Sequence, residues 1–574
     1  MSKYILAIHA GHNASVLIGD RSGIVYAIQE ERLTGEKNYW GLPRNALRAC
    51  LDYVNAKPSD IEAVTYGSHQ VLSRYHSRDD VINAYRRQSS LLGKLRQRVA
   101  MPILTSLQPK MGQGGLKEFL AAHELGDVPL TFYGHHETHG ACAYYGLRQD
   151  PTSEYLVLTC DGAGDGVCAT VSIMGNGQRR ELSRTPWSDS LGALYSWTTF
   201  VMGFVPLEHE YKLMGMAPYA SDEAAEKMAQ LFHGYLGLDE TGLCFKRKTS
   251  ERINDIGDML AEDFKGKRFD WICAGLQRFT EQILAQWVTN AIAKTGVKKV
   301  VGAGGVFMNV KANKVIAELP EVEYFEAFPS CGDETLPMGA YYQEAALRYG
   351  DGEVPPLKHF YLGDNPVQDE TATEEVLKKS GFSYYRPDDI ADEVARLLVE
   401  GKPLARCAGE MEFGARALGN RSILADPSNQ DVVRVINQMV KKRDFWMPFA
   451  PMMKKDRQND YIENPKNLNS PYMMMTFDTK PNFRELIAAV HNADLTCRAQ
   501  LIEEKHNEDM FGILKAFEKR TGRGVILNTS FNLHGFPIVR TAQDALHVLK
   551  NSGLEYLQVG PWIVHKGSAS EAQT

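Results

Sequence analysis

Apolar and polar positions along the chain fall into short, sharply bounded runs. Residues 4 to 30 read as Tyr4-Ile-Leu-Ala-Ile8, a turn at Gly11-His12-Asn13, Ala14-Ser-Val-Leu-Ile18, a turn at Gly19-Asp20, and Gly23-Ile-Val-Tyr-Ala-Ile28. The pattern predicts three short strands joined by tight turns. The same order recurs from 155 to 183: Tyr155-Leu-Val-Leu-Thr159, then Asp161-Gly-Ala-Gly-Asp-Gly166, then Val167-Cys-Ala-Thr-Val-Ser-Ile173, then a third stretch beginning at Gly175-Asn-Gly177. A further strand and glycine-rich turn is predicted at Lys298-Lys-Val-Val-Gly-Ala-Gly-Gly-Val-Phe-Met-Asn309, and Val310-Lys-Ala-Asn-Lys-Val-Ile316 after it has helical spacing.

Two copies of strand, turn, strand, turn, strand predict a duplicated α/β domain whose first turns face a shared cleft. Such a duplication is the plan of the actin, Hsp70 and sugar-kinase superfold, whose paired loops hold nucleotide phosphates. The Gly304-Gly305 turn can present backbone N–H groups to an anion, or it is simply a tight strand-to-helix turn. It is neither a P-loop, since no Gly-Lys-Ser/Thr follows, nor a dinucleotide fingerprint. Proline and glycine punctuation between 350 and 392 marks a domain boundary, so the expected division is 1–360 and 361–574. Beyond it the pattern predicts a helix from Ile390 to Glu400, a strand from Leu404 and a last strand at Trp562-Ile-Val-His565. Residues 71–100, with Arg74, Arg78, Arg86, Arg87, Lys94, Arg96 and Arg98, read as a solvated amphipathic helix in preference to an anion-binding insertion.

Charge narrows the partners. Among 574 residues, 64 Lys plus Arg face 71 Asp plus Glu, a net charge of −7, so no general field attracts nucleic acid. The nine cysteines are scattered without metal-knuckle or dithiol spacing, as expected of buried thiols in a reducing compartment. The first residues turn polar too soon for a signal peptide, and no segment reaches the roughly 18 apolar residues of a membrane helix. A cytoplasmic location is expected, without a membrane partner.

The chemistry-bearing residues come in groups. His135 and His139 stand four apart in His135-His-Glu-Thr-His139, so on a helix both imidazoles share one face and can bind one metal ion; a pair of helix-surface histidines is the plain alternative. Asp161 and Asp333 are the candidate carboxylates, and such a donor set suits Fe(II), Mn(II) or Zn(II) alike. His12, in the first turn, is either a general base toward an acceptor hydroxyl or a turn histidine bonded to backbone. The C-terminal third concentrates Arg416, Arg421 and Ser422, then Lys441 and Arg443, then Arg498, then Asn528, Ser530 and Asn532. Guanidinium forks flanked by small polar groups fit a phosphate-bearing small ligand, while each cluster taken alone could equally be salt bridges and turns.

These strings resemble the O-carbamoyltransferase family, which includes nodulation-factor, cephem, aminoglycoside and ansamycin carbamoyltransferases. Its markers here are Glu210-Tyr-Lys212-Leu-Met-Gly215-Met-Ala-Pro218-Tyr, Gly304-Gly-Val-Phe-Met-Asn309, Glu412-Phe-Gly-Ala-Arg416-Ala-Leu-Gly-Asn-Arg421-Ser422 and Asn528-Thr-Ser-Phe-Asn532. The resemblance implies an N-terminal domain similar to the tRNA-threonylcarbamoylation ATPase (Kae1-like, of the duplicated superfold) and a smaller α/β C-terminal domain similar to its carbamoyl-adenylate-forming partner (YrdC-like). It implies that carbamoyl phosphate and ATP yield carbamoyl adenylate in the C-terminal domain, and that the N-terminal domain transfers the carbamoyl group to a hydroxyl of a small-molecule acceptor. By position, His135, His139 and Asp333 match the metal ligands, with Asp161 as a further one, and His12 matches the base. Lys212, Gly304, Gly305 and Asn309 match the adenylate contacts of the transfer site. Arg416, Arg421, Ser422, Lys441, Arg443, Arg498, Asn528, Ser530 and Asn532 match the carbamoyl phosphate and ATP site.

Fe2+ is the metal expected in the transfer site, with Mg2+ or Mn2+ accompanying ATP, and a homodimer is the expected assembly. Asn13, Ala415 and Met447 depart from the family pattern, which has Asp, Pro and Arg there. Glu30, Glu31 and the Glu208-His-Glu210 run suit either a cationic acceptor or salt bridges. A tRNA-modifying enzyme, or a nucleotide-binding regulator without turnover, is the alternative; the acidic balance disfavours the first.

Overall fold

The computed structural model describes residues 3–71, 77–88, 112–441 and 444–567, without the side chains of residues 88, 439 and 441. The chain forms two α/β units. The first comprises Met1–Glu30 and Asn38–Lys358, the second Glu31–Lys37 and His359–Thr574.

The first unit contains two five-stranded sheets of one plan. In the first half, β1 (Tyr4–His9), β2 (Ser15–Asp20) and β3 (Gly23–Gln29) form an antiparallel meander. Helix α1 (Arg44–Tyr53) leads to β4 (Ile61–Tyr66), parallel to β1, and β5 (Leu130–Phe132) lies parallel to β4. Helix α2 (His135–Leu147) follows. The second half repeats this: β6 (Tyr155–Gly164), β7 (Val167–Gly175) and β8 (Gln178–Pro186) form the meander. After the helices α3 (Leu191–Val201), α4 (Glu210–Met216) and α5 (Phe269–Thr295) come β9 (Lys299–Ala303), α6 (Val310–Glu318), β10 (Tyr324–Ala327) and α7 (Leu336–Tyr349). The strand orders are β3-β2-β1-β4-β5 and β8-β7-β6-β9-β10. The central strands are almost wholly buried, as parallel strands covered on both faces should be.

The predicted meanders and the strand, turn and helix at 299–318 are present where the pattern put them. The first strand of the second copy runs past Thr159 to Gly164, because its ladder with β7 breaks between Cys160 and Gly164 and leaves a bulge. Of the basic stretch 71–100, a helix covers Arg78–Gln88; Arg74, Lys94, Arg96 and Arg98 lie outside the described residues. Tyr85 packs on Trp197 and Phe200 of α3, so that helix buries an aromatic face.

The second unit is built on an eight-stranded mixed sheet. Its strands are β11 (Ser383–Tyr385), β12 (Leu404–Cys407), β13 (Arg421–Ala425), β14 (Ala450–Lys454), β15 (Gln500–Ile502), β16 (Val525–Ser530), β17 (Tyr556–Val559) and β18 (Trp562–His565). They run in the order β11-β18-β17-β12-β13-β16-β14-β15. Strand periodicity splits the core between two faces. Leu404, Leu424, Ile526 and Ile563 pack under the helices Ile390–Val399 and Glu508–Thr521. Their neighbours Ala405, Ile423, Leu527 and Val564 pack with the helix Ala542–Lys550. Among the described residues, no helix is long and apolar enough to cross a membrane.

Candidate metal centre and anion-binding cluster

Gly134 stands at the N-cap of α2, and His135 is its first residue. One helical turn separates His135 from His139, which places both rings on one face. Apart from Glu137, every residue of α2 is buried. Asp161 enters from the bulge of β6, and Asp333 from the turn just before α7. Since α2 and α7 follow equivalent strands, the two histidines come from one half of the unit and the two aspartates from the other.

His139 Nε2 lies 3.2 Å from Asp161 Oδ2 and 3.6 Å from Asp333 Oδ1, and His135 Nε2 lies 3.4 and 3.5 Å from the same atoms. One ligand atom from each of the four residues falls within 4.8 Å of all the others. Two half-buried carboxylates converging on one point call for compensating positive charge, from a proton on His139 or from a divalent cation. Without a cation His139 keeps its proton. Burial alone would lower the His139 pKa, but Asp161 and Asp333 outweigh it and push it up to about 9. Burial likewise opposes ionisation of Asp161, yet the hydrogen bonds and charges of His135 and His139 hold its carboxyl well below the usual carboxylate range. A divalent ion would take the place of the His139 proton, and two imidazole nitrogens with two carboxylate oxygens are a donor set for Fe(II), Mn(II) or Zn(II).

His136, between His135 and His139 in sequence, faces away. Its Nδ1 meets Thr159 Oγ1 at 2.8 Å and its Nε2 the Val167 carbonyl at 3.1 Å. Burial lowers its pKa to about 3, so it is a neutral, fully bonded core histidine.

His12 pairs with Trp40 in a short antiparallel bridge, its ring 4.3 Å from the indole. Its carbonyl is 3.0 Å from Nε2 of His9. Burial lowers the His9 pKa to about 4 against the pull of Asp333, and the charges of His135 and His12 lower it further. The neutral His9 therefore adjoins both the first turn and the four-residue cluster. Sequence reasoning did not single out His9; the His-x-x-His spacing at the end of β1 was its one local signal.

The glycine-rich turn reaches the same place. Gly304 has φ +99, and a Cβ there would sit 2.4 Å from the Cys160 carbonyl oxygen. A Cβ on Gly305 would lie 3.0 Å from Asp161 Oδ1. Asn309 is largely committed: it caps α6 through Ala312 N at 3.1 Å and exchanges two hydrogen bonds, of 3.0 and 2.9 Å, with Gln277. Lys212, on α4, lies 5.3 Å from the Phe204 ring centroid.

The acidic residues weighed for a cationic acceptor have structural partners. Glu30 accepts from the N–H groups of Asn45 and Ala46 at the start of α1. Glu31 pairs with Arg32 at 3.0 Å, Glu208 with Arg78 at 3.1 Å, and Glu210 accepts from Ser196 and Leu207 N.

In the second unit, Glu412 Oε1 accepts three backbone N–H groups, from Leu418 and Asn420 at 2.8 Å and from Arg421 at 3.1 Å. This folds the loop carrying Arg416 back on itself. On β13 and β16, Ser422 stands opposite Ser530, and Leu424 opposite Asn528. Ser422, Asn528 and Ser530 therefore share one sheet face, while Arg421 and Thr529 belong to the other. The sequence grouped Arg421 with Ser422, but strand alternation separates them. Arg421 instead donates to the carbonyls of Ala408, Gly409, Asn420 and Arg540. Asn532 holds its own loop through Leu533 O and Phe536 O and accepts from Ser530 Oγ at 2.8 Å.

Asn528 Nδ2 donates to Ala417 O at 3.0 Å and Gln500 Oε1 at 2.9 Å, which ties the Arg416 loop to the sheet. Ser422 Oγ and Asn528 Oδ1 are buried without a hydrogen-bond partner among the described residues. A buried polar atom left so costs about 1–3 kcal/mol, and two on one face mark a surface suited to a polar ligand. Arg498 follows the short strand Thr496–Cys497. Arg443 and the side chain of Lys441 lie outside the described residues.

Residues 4–341 match the family model described as Carbamoyltransferase N-terminus, and residues 395–566 match Carbamoyltransferase C-terminus. Nodulation protein NolNO of Sinorhizobium fredii is 29% identical over 97% of this chain and 79% of its own length. Nodulation protein NolO of Bradyrhizobium diazoefficiens is 30% identical over 76% of this chain and 79% of its own. The crystal structure of T. kodakarensis HypF aligns with 62% of this chain and 50% of that one at 13% identity, with a TM-score of 0.32, too slight a likeness to carry an argument.

Proposed function

Because this chain belongs to the carbamoyltransferase family and is itself a carbamoyltransferase, we propose that it uses ATP and carbamoyl phosphate to form carbamoyl adenylate and transfers the carbamoyl group to a hydroxyl of a small-molecule acceptor. In this reading the duplicated sheets of the first unit are the Kae1-like superfold and the second unit is the YrdC-like adenylate-forming domain.

The observation that carries the proposal is the convergence of His135, His139, Asp161 and Asp333 beside the Gly304-Gly305 turn. A metal ion held by those four side chains would supply positive charge to a phosphate or a developing oxyanion. The Gly304-Gly305 turn packs against Cys160 and Asp161 because neither residue carries a Cβ, which brings its backbone N–H groups beside the centre, where an anion can use them. His12, held by its Trp40 pairing, is the base that takes the acceptor proton. The hydroxyl oxygen then bonds to the carbamoyl carbon, the bond from that carbon to the AMP oxygen breaks, and AMP leaves.

In the second unit, Arg416 and Arg498 supply guanidinium charge, and Ser422, Asn528 and Ser530 supply polar groups on one sheet face. Arg421, Asn532 and Glu412 hold the loops that carry them. Carbamate released with phosphate from carbamoyl phosphate by water would attack the α-phosphorus of ATP, and pyrophosphate would leave. The mixed anhydride with AMP gives the otherwise poor carbamate electrophile a good leaving group.

The test is pyrophosphate release by the full chain from ATP, with and without carbamoyl phosphate. Release that requires carbamoyl phosphate is expected. Phosphate release from ATP alone, with no pyrophosphate, would overturn the reading.

A further inference from the structure

We propose that Asp165 is a positioning residue of the metal centre, setting the start of α2 in register with Asp161. The inference rests on reading His135, His139, Asp161 and Asp333 as metal ligands.

Asp165 occupies the tip of the hairpin between β6 and β7 with φ +51, and Gly166 follows with φ +81. Its Oδ1 accepts from Ser68 Oγ at 2.9 Å, His69 N at 3.1 Å and Gln70 N at 3.0 Å. Its Oδ2 accepts from His69 N at 3.0 Å and from His135 N at 2.9 Å. One carboxylate from the second half of the unit therefore fastens two segments of the first half: the loop after β4 and the first residue of α2.

The His135 N–H is one of the helix's donors without an intrahelical partner, at the positive end of its dipole. Gly134, at the N-cap, supplies no side-chain cap to this helix end. Asp165 takes on this capping role from a distant strand pair. The consequence reaches the ligands, because His135 and His139 move as one body with the helix, whereas Asp161 moves with the hairpin. The 2.9 Å bond from His135 N is a direct link between those bodies. Space is tight at this joint: a Cβ on Gly164 would lie 2.1 Å from the His135 ring. The hairpin tip and the ring interlock, and a shift of either displaces two imidazoles against two carboxylates.

The experiment titrates the metal-free full chain with Co2+ and records the visible ligand-field bands, the dissociation constant and the melting temperature before metal is added. One Co2+ is expected to bind the native chain, and His139→Ala to abolish that binding. Asp165→Ala is expected to weaken binding roughly 10- to 100-fold and to shift the bands. Asp165→Asn keeps one carbonyl oxygen for the His135 N–H and should recover most of the affinity; it also serves should the alanine variant fold poorly. Ser68→Ala removes a contact to Asp165 that does not involve α2 and should leave affinity within about twofold. The proposal is overturned if Asp165→Ala only lowers the metal-free melting temperature while Co2+ affinity and bands match the native chain, or if Ser68→Ala weakens binding equally. A native chain that takes up no Co2+ would instead remove the metal reading beneath it.

Discussion

Arg32 donates from Nη2 to the Gly414 carbonyl at 2.7 Å across 382 positions of sequence. The segment Glu31–Lys37 folds with the second unit although the chain on either side of it belongs to the first. Gly414, with φ +85, sits in the loop that carries Arg416. Both Arg32 and its partner Glu31 are buried.

Arg32→Ala is therefore expected to lower the unfolding free energy by about 1–3 kcal/mol, because it removes a buried guanidinium that bonds the Gly414 carbonyl and pairs with Glu31. The double change of Glu31 and Arg32 to leucine should cost less than Arg32→Ala, since a buried charge pair replaced by apolar side chains of similar volume is often near neutral. Urea unfolding of the three chains measures both. The single variant should also slow carbamoyl-phosphate-dependent pyrophosphate release, through the Arg416 loop.

His12→Ala should reduce carbamoyl transfer by roughly 100- to 10,000-fold, the usual worth of a general base, while carbamoyl-adenylate formation continues. Product mass spectrometry and pyrophosphate release follow the two half-reactions separately. Equal loss of both would show that His12 supports the fold and not the transfer step.

On the proposed metal reading, Gly164→Ala should empty the four-residue centre without changing any of its side chains. The new methyl would fall 2.1 Å from the His135 ring, which has to leave its place beside Asp161. Elemental analysis of the purified chains should show the proposed one metal per native chain falling toward none in the variant. Retention of native metal content would contradict the geometry.

Glu326 governs a pH dependence of stability. Burial raises its pKa from 4.5 to about 7, against the hydrogen bond donated by Tyr324. Between these values the folded chain binds more protons than the unfolded one, so this contribution makes stability fall as pH rises from 4.5 to 7 and level off above. Glu326→Gln should abolish that part of the slope and be relatively more stable above pH 7. Denaturant midpoints of both chains across pH 4.5–8 provide the comparison; parallel curves would count against it.

Much of the fold is legible in local pattern. The meanders at 4–29 and 155–186 announce themselves by alternating apolar runs and Gly/Asn/Asp turns, because strand pairing between neighbours needs only short-range grammar. The shared face of His135 and His139 follows from helical pitch alone. The strand from Leu404 and the helix from Ile390 are likewise local. Asp161 and Asp333 could be named as candidates, but nothing near them in sequence says that they meet.

That meeting depends on strand order. The parallel pairing of β6 with β9 brings the Asp161 bulge beside the Gly304 turn, and the packing of α7 against α2 brings Asp333 over the histidines. The same holds for the anion cluster, where an alternating backbone sends Arg421 and Ser422 to opposite faces although they are adjacent in sequence. Asp165 capping His135, Glu30 capping α1 and Arg32 reaching Gly414 join side chains to backbone groups far along the chain, which no periodicity encodes.

The sequence by itself determined the elements, their order, the pair of histidines on one helix face and the family motifs, since each rests on propensity or spacing within a few residues. The tertiary structure alone decided which carboxylates face those histidines, which polar residues share a sheet face and which acids are structural. Those outcomes depend on register and sheet order, which are set by burial of the whole unit.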